Sequence, residues 1–270
     1  MSFDAPSPRG RRSDAPRRSF ENRRPAPAKG TYVIGMHPVL EALEAGKEFQ
    51  RVLIQRDEKG ERTGELLQTL RDHHVPVQRV PREKLDRITR KNHQGVIAFL
   101  SPIAFQPLEE LIARAYEAGE APLFVLLDGV TDVRNLGAIA RSAECFGATG
   151  LVIPTHGVAP IQEDAIKSSS GALVRLPVSR VEHVAAAVET LEANGITTYA
   201  LTEKAAEPMT QTPVPRPACL VLGDEERGIS SPVMAACSHR LFVPMAGQTA
   251  SLNVSVAAGI ALYHVLASNS

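Results

Sequence analysis

Residues 122–127 read Pro-Leu-Phe-Val-Leu-Leu, a strand-length run without a polar side chain. A strand with one wet face alternates; an unbroken apolar run must be covered on both faces, which is the situation of a parallel sheet between two helical layers. The chain that follows keeps to this plan. A helix from Leu136 to Phe146 leads to the strand GLVIP, a helix around Asp164 to Ser169, the strand LVRLPV, the helical segment VEHVAAAVETLEANG and the strand ITTYAL. A further strand stops at Gly223, a helix runs around Ser231 to Ala236, a strand covers Leu241 to Val243, and a last helix begins near Ser251 and reaches Ala267. Strands alternating with helices in this way predict an α/β fold with a mostly parallel sheet.

A smaller unit of the same kind precedes it. From Thr31 to about Leu100, strands TYVIG, RVLIQ, VPVQRV and GVIAFL alternate with helical stretches PVLEALEAG, GELLQTLRDHH and EKLDRIT. The segment SPIAFQP marks a boundary, and LEELIARAYEAGE, with Leu108, Leu111, Ile112 and Ala115 on one helical face, reads as a linker helix. The organisation expected is therefore residues 1–30, a small domain over 31–104, a linker helix over 105–121 and a larger domain over 122–270.

Charge is informative only by its distribution, since 30 Lys and Arg balance 30 Asp and Glu. Residues 1–30 carry seven Arg and one Lys against three acids, with five prolines and little that could be buried, and read as a disordered basic arm. Such an arm is either an inert solvated tail or a segment that touches phosphates transiently. Arg79, Arg82, Lys84, Arg87, Arg90, Lys91 and His93 crowd one stretch of the small domain and suggest an edge facing nucleic acid, against the alternative of ordinary surface charge. Cys145, Cys219 and Cys237 are scattered and odd in number, as expected of a reduced, cytoplasmic protein without structural zinc or disulfides. No apolar run suffices to span a membrane; the last helix comes closest, and Asn253, Ser255 and His264 interrupt it. That helix is apolar nearly all round, with Leu252, Val256, Ile260 and Tyr263 in one stripe, so its own sheet or a second subunit must cover it.

Several chemistries are excluded. No GxGxxG follows a strand, there is no phosphate-binding P-loop, no GxSxG elbow and no HExxH, and histidines and carboxylates do not cluster at metal-ligand spacing. The polar residues that remain gather on three loops at strand ends, the default ligand position of an open α/β sheet. The first holds Asp128, Asn135 and Arg141, with Asn135 placed as a helix N-cap. Asp224, Glu225, Glu226 and Arg227 form the second. On the third stand Gln248, Thr249, Ser251 and Asn253, with Ser251 as the expected cap of the last helix.

Taken together, N-x-G-x-x-x-R over Asn135 to Arg141, L-G-x-E-x-x-G over Leu222 to Gly228 and P-M-x-G-x-x-x-S-L-N-V-S over Pro244 to Ser255 resemble, in order and spacing, the three motifs of the SpoU/TrmH family of RNA ribose 2′-O-methyltransferases in the SPOUT superfamily. The module from Thr31 to about Leu100, with its NHQGV segment, resembles the L30e-like RNA-binding extension of the branch that methylates a guanosine of bacterial 23S ribosomal RNA. The resemblance implies a SPOUT-type parallel sheet with a C-terminal trefoil knot, a homodimer, S-adenosylmethionine as methyl donor and no metal. It assigns donor contacts to the backbone around Gly223, Val243 and Leu252, with Leu222 and Met245 alongside. It gives the central catalytic place to Arg141, able to act across the dimer; beside it Asn135 and Ser251 are expected to orient the ribose, and Asn253 and Glu225 to brace the pocket. A guanidinium normally stays protonated, so Arg141 is expected to hold a phosphate and stabilise a developing alkoxide rather than remove a proton. The rivals are a transfer-RNA ribose methyltransferase, a non-catalytic RNA-binding or ribosome-assembly protein, and a nucleotide-dependent oxidoreductase, the last disfavoured by the missing glycine fingerprint.

Overall fold

The computed structural model describes residues 32–249 and 251–269; the basic arm expected over residues 1–30 lies outside them. The first domain contains β1 (Tyr32–Ile34), α1 (Met36–Glu44), β2 (Phe49–Gln55), α2 (Glu61–Asp72), β3 (Val77–Val80), α3 (Arg82–Asp86) and β4 (Val96–Leu100). Its sheet runs β1-β4-β2-β3, antiparallel around β4 and parallel between β2 and β3.

The second part begins with α4 (Leu108–Glu117), followed by β5 (Leu123–Asp128), α5 (Val133–Cys145), β6 (Gly150–Pro154), α6 (Glu163–Ser168), α7 (Ala172–Arg175), β7 (Val178–Val181), α8 (Val184–Ala193) and β8 (Thr197–Leu201). It ends with β9 (Glu207–Pro208), β10 (Ala218–Gly223), α9 (Ser231–Ala236), β11 (His239–Phe242) and α10 (Val254–Ser268). These strands form one sheet in the order β7-β6-β5-β10-β8-β11-β9, parallel throughout.

The apolar run at 123–127 is explained by its neighbours. Leu123, Val125 and Leu127 enter the core under α5, α6, α7 and α10, while Phe124 and Leu126 enter the core under α4, α8 and α9. β10 divides likewise, with Leu220 and Leu222 on the first side and Cys219 and Val221 on the second. Each fully buried Leu or Phe contributes about 1.5–3 kcal/mol, which is why these two strands form the centre of the sheet. Leu108, Leu111, Ile112 and Ala115 of α4 are all buried, and the first three pack into the second of these cores, so this helix is a layer of the large sheet.

The structure differs from the sequence reading at four places. The LVRLPV segment is not one strand: Ala172–Arg175 is a helical turn, and β7 starts only after Pro177. The turn follows Gly171 in a left-handed conformation and buries Leu173, while Arg175 Nε reaches Glu144 Oε1 at 2.7 Å. α5 begins at Val133 rather than Leu136, so Asn135 is not its cap. Asp132 is, accepting from the backbone of Arg134. α10 begins at Val254 with Asn253, not Ser251, as cap; the Asn253 side chain accepts from Ser255 N. Finally, His93 leaves the cationic edge. It is 4% exposed, receives Gly95 N on Nδ1 at 3.0 Å and directs Nε2 at Asp86 Oδ1 at 2.9 Å. Lys84, Arg87, Arg90 and Lys91 stay exposed.

Candidate active site

After β5 the chain builds outward through β6 to β7, then returns to lay β8, β10 and β11 on the other side of β5. Ligands of such sheets lie beyond the carboxyl ends of the strands where this order reverses. Those ends are Asp128 on β5 and Gly223 on β10, which are register partners.

The loop leaving Gly223 is closed on itself. Asp224 N donates to Gly228 O at 3.1 Å and Gly228 N to Asp224 O at 2.9 Å. Asp224 Oδ1 accepts from the backbone N–H of both Glu226 and Arg227 at 2.9 Å. Asp128 Oδ2 accepts from Ser230 N at 2.7 Å and ties the loop to β5. A Cβ on residue 223 would lie 2.2 Å from the carbonyl carbon of Gly228, so only glycine lets the loop fold back this closely.

So held, the loop presents Glu225 to the other two motifs. Asn135, on the inward side of α5 and 9% exposed, donates from Nδ2 to Glu225 Oε1 at 2.7 Å. Asn253 donates to the same oxygen at 2.7 Å and to Asn135 Oδ1 at 3.1 Å. Its own Oδ1 accepts from Ser255 N and Ser255 Oγ, at 2.9 and 2.6 Å. One residue from each of three distant segments therefore meets in a single hydrogen-bonded cluster. Gly137 of the first motif has a packing role: a Cβ there would sit 1.9 Å from Ser168 Oγ, so the glycine admits α6 against α5.

The remaining sequence candidates fall around this cluster unevenly. Leu222 is buried in β10 directly before Gly223, and Val243 is half-buried against the main core. Leu252 and Met245 are exposed apolar side chains on the segment between β11 and α10. Ser251 is exposed and makes no side-chain hydrogen bond among the described residues. Arg141 is not drawn into the cluster. Six residues after Asn135, it lies about 9 Å farther along the helix axis and on another face. Its side chain is exposed and makes no hydrogen bond or ion pair among the described residues. Its neighbour Ser142 lies where α10 passes at Gly259, a Cβ on which would be 3.7 Å from Ser142 Oγ. Val256, Ile260 and Tyr263 of α10, in the stripe read from the sequence, are exposed, whereas Ala258, Ala261, Leu262 and Val265 are buried.

Two further residues organise the site. The loop-tying bond of Asp128 crosses 102 positions of chain and has no local sequence signal. Asp132 carried an available signal, an N-cap residue type three positions before the buried Asn135. The Arg134 side chain holds the Asp132 carboxyl down at a pKa of about 2. Chemically, the cluster offers fixed amides and one carboxylate, suited to orienting hydroxyl groups, beside apolar side chains and backbone suited to a flat heterocycle.

Comparison with known proteins shows the family. Residues 122–263 match the model of the SpoU rRNA methylase family, and residues 32–106 match the model for RNA 2′-O ribose methyltransferase substrate binding. The chain is 37% identical over 233 residues to slr0955 of Synechocystis, described as an uncharacterized tRNA/rRNA methyltransferase, with 86% of this chain and 61% of that one covered. YacO of Bacillus subtilis, assigned by description to the TrmH family of tRNA/rRNA methyltransferases, is 33% identical over 234 residues, covering 87% of this chain and 94% of its own. Among solved structures, the SpoU methyltransferase AviRb of Streptomyces viridochromogenes, crystallised with the cofactor AdoMet, aligns over 87% of this chain and 89% of its own with a TM-score of 0.56 and 27% identity. With the methylase model spanning more than half of its length and three motifs converging at the switch point of its sheet, the chain belongs to the SpoU/TrmH family of RNA methyltransferases.

Proposed function

We infer that this protein transfers the methyl group of S-adenosylmethionine to the 2′-hydroxyl of a guanosine ribose in 23S ribosomal RNA. The observation that carries the reading is the cluster of Asn135, Glu225 and Asn253 at the carboxyl ends of β5 and β10. The donor would be held beside it by the backbone around Gly223, Val243 and Leu252, with Leu222 and Met245 adding apolar surface; Gly223 lets the loop after β10 fold back on itself, and Met245 and Leu252 are exposed. When bound, S-adenosylmethionine supplies a positively charged sulfonium whose methyl needs no metal for activation.

The chain's own residues then have to align a hydroxyl. Asn135, Asn253 and Ser251 orient the ribose, and Glu225 braces the two amides. Holding reactants at attack distance can supply several kcal/mol of the barrier, on the order of 7–11 in the best-aligned cases. Arg141 grips a phosphate and stabilises the alkoxide as the 2′-hydroxyl proton leaves to solvent. Its exposed position beside the uncovered stripe of α10 supports a homodimer in which the arginine of one protomer serves the pocket of its partner. A C-terminal trefoil knot belongs to the same reading. So does docking of the RNA by the L30e-like domain at 31–104 through Lys84, Arg87, Arg90 and Lys91, in a loop or bulge whose bases are accessible.

The test is methyl transfer from labelled donor to ribosomal and transfer RNA from cells lacking the gene, with ribose methylation mapped by mass. A single guanosine of 23S RNA is expected. Modification of transfer RNA alone would overturn the substrate assignment, and an inert protein that still binds RNA would overturn the reaction.

A further inference from the structure

The seam between the two domains holds two buried polar side chains, Gln50 and Arg180. In β2, Phe49 pairs with Leu100 and Arg51 with Phe99, leaving Gln50 as an extra residue against β4. A bulge of this kind re-aims a side chain out of the sheet's alternation. Gln50 is 8% exposed, and with its amide nitrogen toward Ile161 it donates to Ile161 O at 3.1 Å and accepts from Ile161 N at 2.7 Å. Ile161 belongs to the large domain, in the loop between β6 and α6.

Beside it stands Arg180, in β7 at the edge of the large sheet and 9% exposed. Its Nη1 donates to Phe49 O at 3.1 Å and His74 O at 3.3 Å, both carbonyls of the small domain. Its guanidinium lies 3.4 Å from the centre of the Phe105 ring. Phe105 bridges to Val178 of β7, and Gln106 N donates to Val178 O at 3.0 Å, so the connecting segment is sewn to the same edge. Burial pulls the Arg180 pKa down to about 10, which leaves it charged at neutral pH. Among the described residues no carboxylate reaches ion-pair distance of it; Glu48 acts on it only from farther away.

A buried charge answered by carbonyls gains little net energy over water, because its desolvation offsets its hydrogen bonds. What it contributes is direction. A slip of the seam by one residue would strand a guanidinium, a carboxamide and several main-chain groups at once. An apolar seam would tolerate that slip far better.

We propose that Gln50 and Arg180 form a polar clasp that sets the orientation of the small domain on the catalytic one, and thereby the span between docked RNA and the Asn135–Glu225–Asn253 cluster. The second half rests on the methyl-transfer reading; the first does not. Both are positioning residues. Their role is to place the RNA-docking domain, not to touch the reacting atoms.

The test uses the full chain with nitroxides on exposed Cys145 and on a Gln68→Cys substitution, diluted with unlabelled protein so that only distances within one chain are read. The parent should give one narrow distance, which broadens in Arg180→Met and more in the Arg180→Met/Gln50→Ala pair. The KM for RNA should rise about tenfold with donor affinity unchanged, the signature of lost substrate placement rather than lost folding. A distance that stays narrow in the double variant overturns the clasp. Broadening without a change in KM overturns its role in setting the span. A parent chain inert on every RNA overturns the methyl-transfer reading, while the distance still decides the clasp.

Discussion

The Asn135–Glu225–Asn253 cluster and the Arg180–Gln50 seam are both polar, both assembled from distant segments, and opposite in construction. At the first, a carboxylate stands at the surface with two amides turned toward it, over a loop held by its own backbone and by the Asp224 and Asp128 carboxylates. At the second, a guanidinium and a carboxamide are buried and answered mainly by main-chain groups of the opposite domain. Groups left at a rim can exchange protein partners for a ligand's hydroxyls at little cost, whereas groups sealed in a seam cannot. The first arrangement therefore suits binding, and the second suits alignment of rigid parts.

Substitutions can break this contrast. Arg141→Ala should lower kcat by about 10²-fold or more, the usual cost of a charge-stabilising group, with the thermal midpoint unchanged because the residue is exposed and unpaired. Arg141→Lys should lose most of that activity too. Full single-turnover activity in the lysine variant would show that a planar, forked contact is unnecessary. Gly223→Ala addresses the support beneath the rim. A Cβ 2.2 Å from the Gly228 carbonyl carbon must force the loop apart, for a loss of about 1–3 kcal/mol in denaturant unfolding. Unchanged stability would mean that the loop is not packed as described.

Smaller effects sharpen the comparison. Glu225→Ala removes the shared acceptor of Asn135 and Asn253; since the site is partly wet, the loss should be about 1 kcal/mol in stability and about tenfold in kcat/KM. A variant with wild-type kinetics would reduce Glu225 to a bystander. Asp132→Ala should cost about 1 kcal/mol as a lost N-cap. The folded carboxyl has its pKa depressed from 3.8 to about 2, so its contribution is present above the higher value and lost as pH falls through the lower. The stability gap between wild type and Asp132→Ala should therefore close across that acid interval. A gap independent of pH would assign the cap's effect to packing instead of charge.

Much of the molecule was legible in advance for identifiable reasons. Strands buried on both faces leave unbroken apolar runs, so β5 and β10 were readable, as was the face of α4 given by Leu108, Leu111, Ile112 and Ala115. Asn135, Glu225 and Asn253 stand out through the resemblance of their motifs to those of the family, and the fold brings them within hydrogen-bond distance. Local competition hid other features. Asn135, Asp132, Ser251 and Asn253 are all good capping residues, and only the directions of the side chains show which of them cap and which face the site. His93 sits among cations in sequence and is buried against Asp86 in space.

The sequence by itself determined the class of fold, the sheet's central strands and the residue types at its carboxyl ends, because hydrophobic period and motif spacing are properties of short stretches. Only the tertiary structure decided that Asp128 ties the Gly223 loop to β5, that a bulge turns Gln50 toward Ile161, and that Arg180 is satisfied by carbonyls 106 and 131 positions away. Those are hydrogen bonds between segments with no shared period. Their partners are set by how whole domains pack, and no local pattern carries that information.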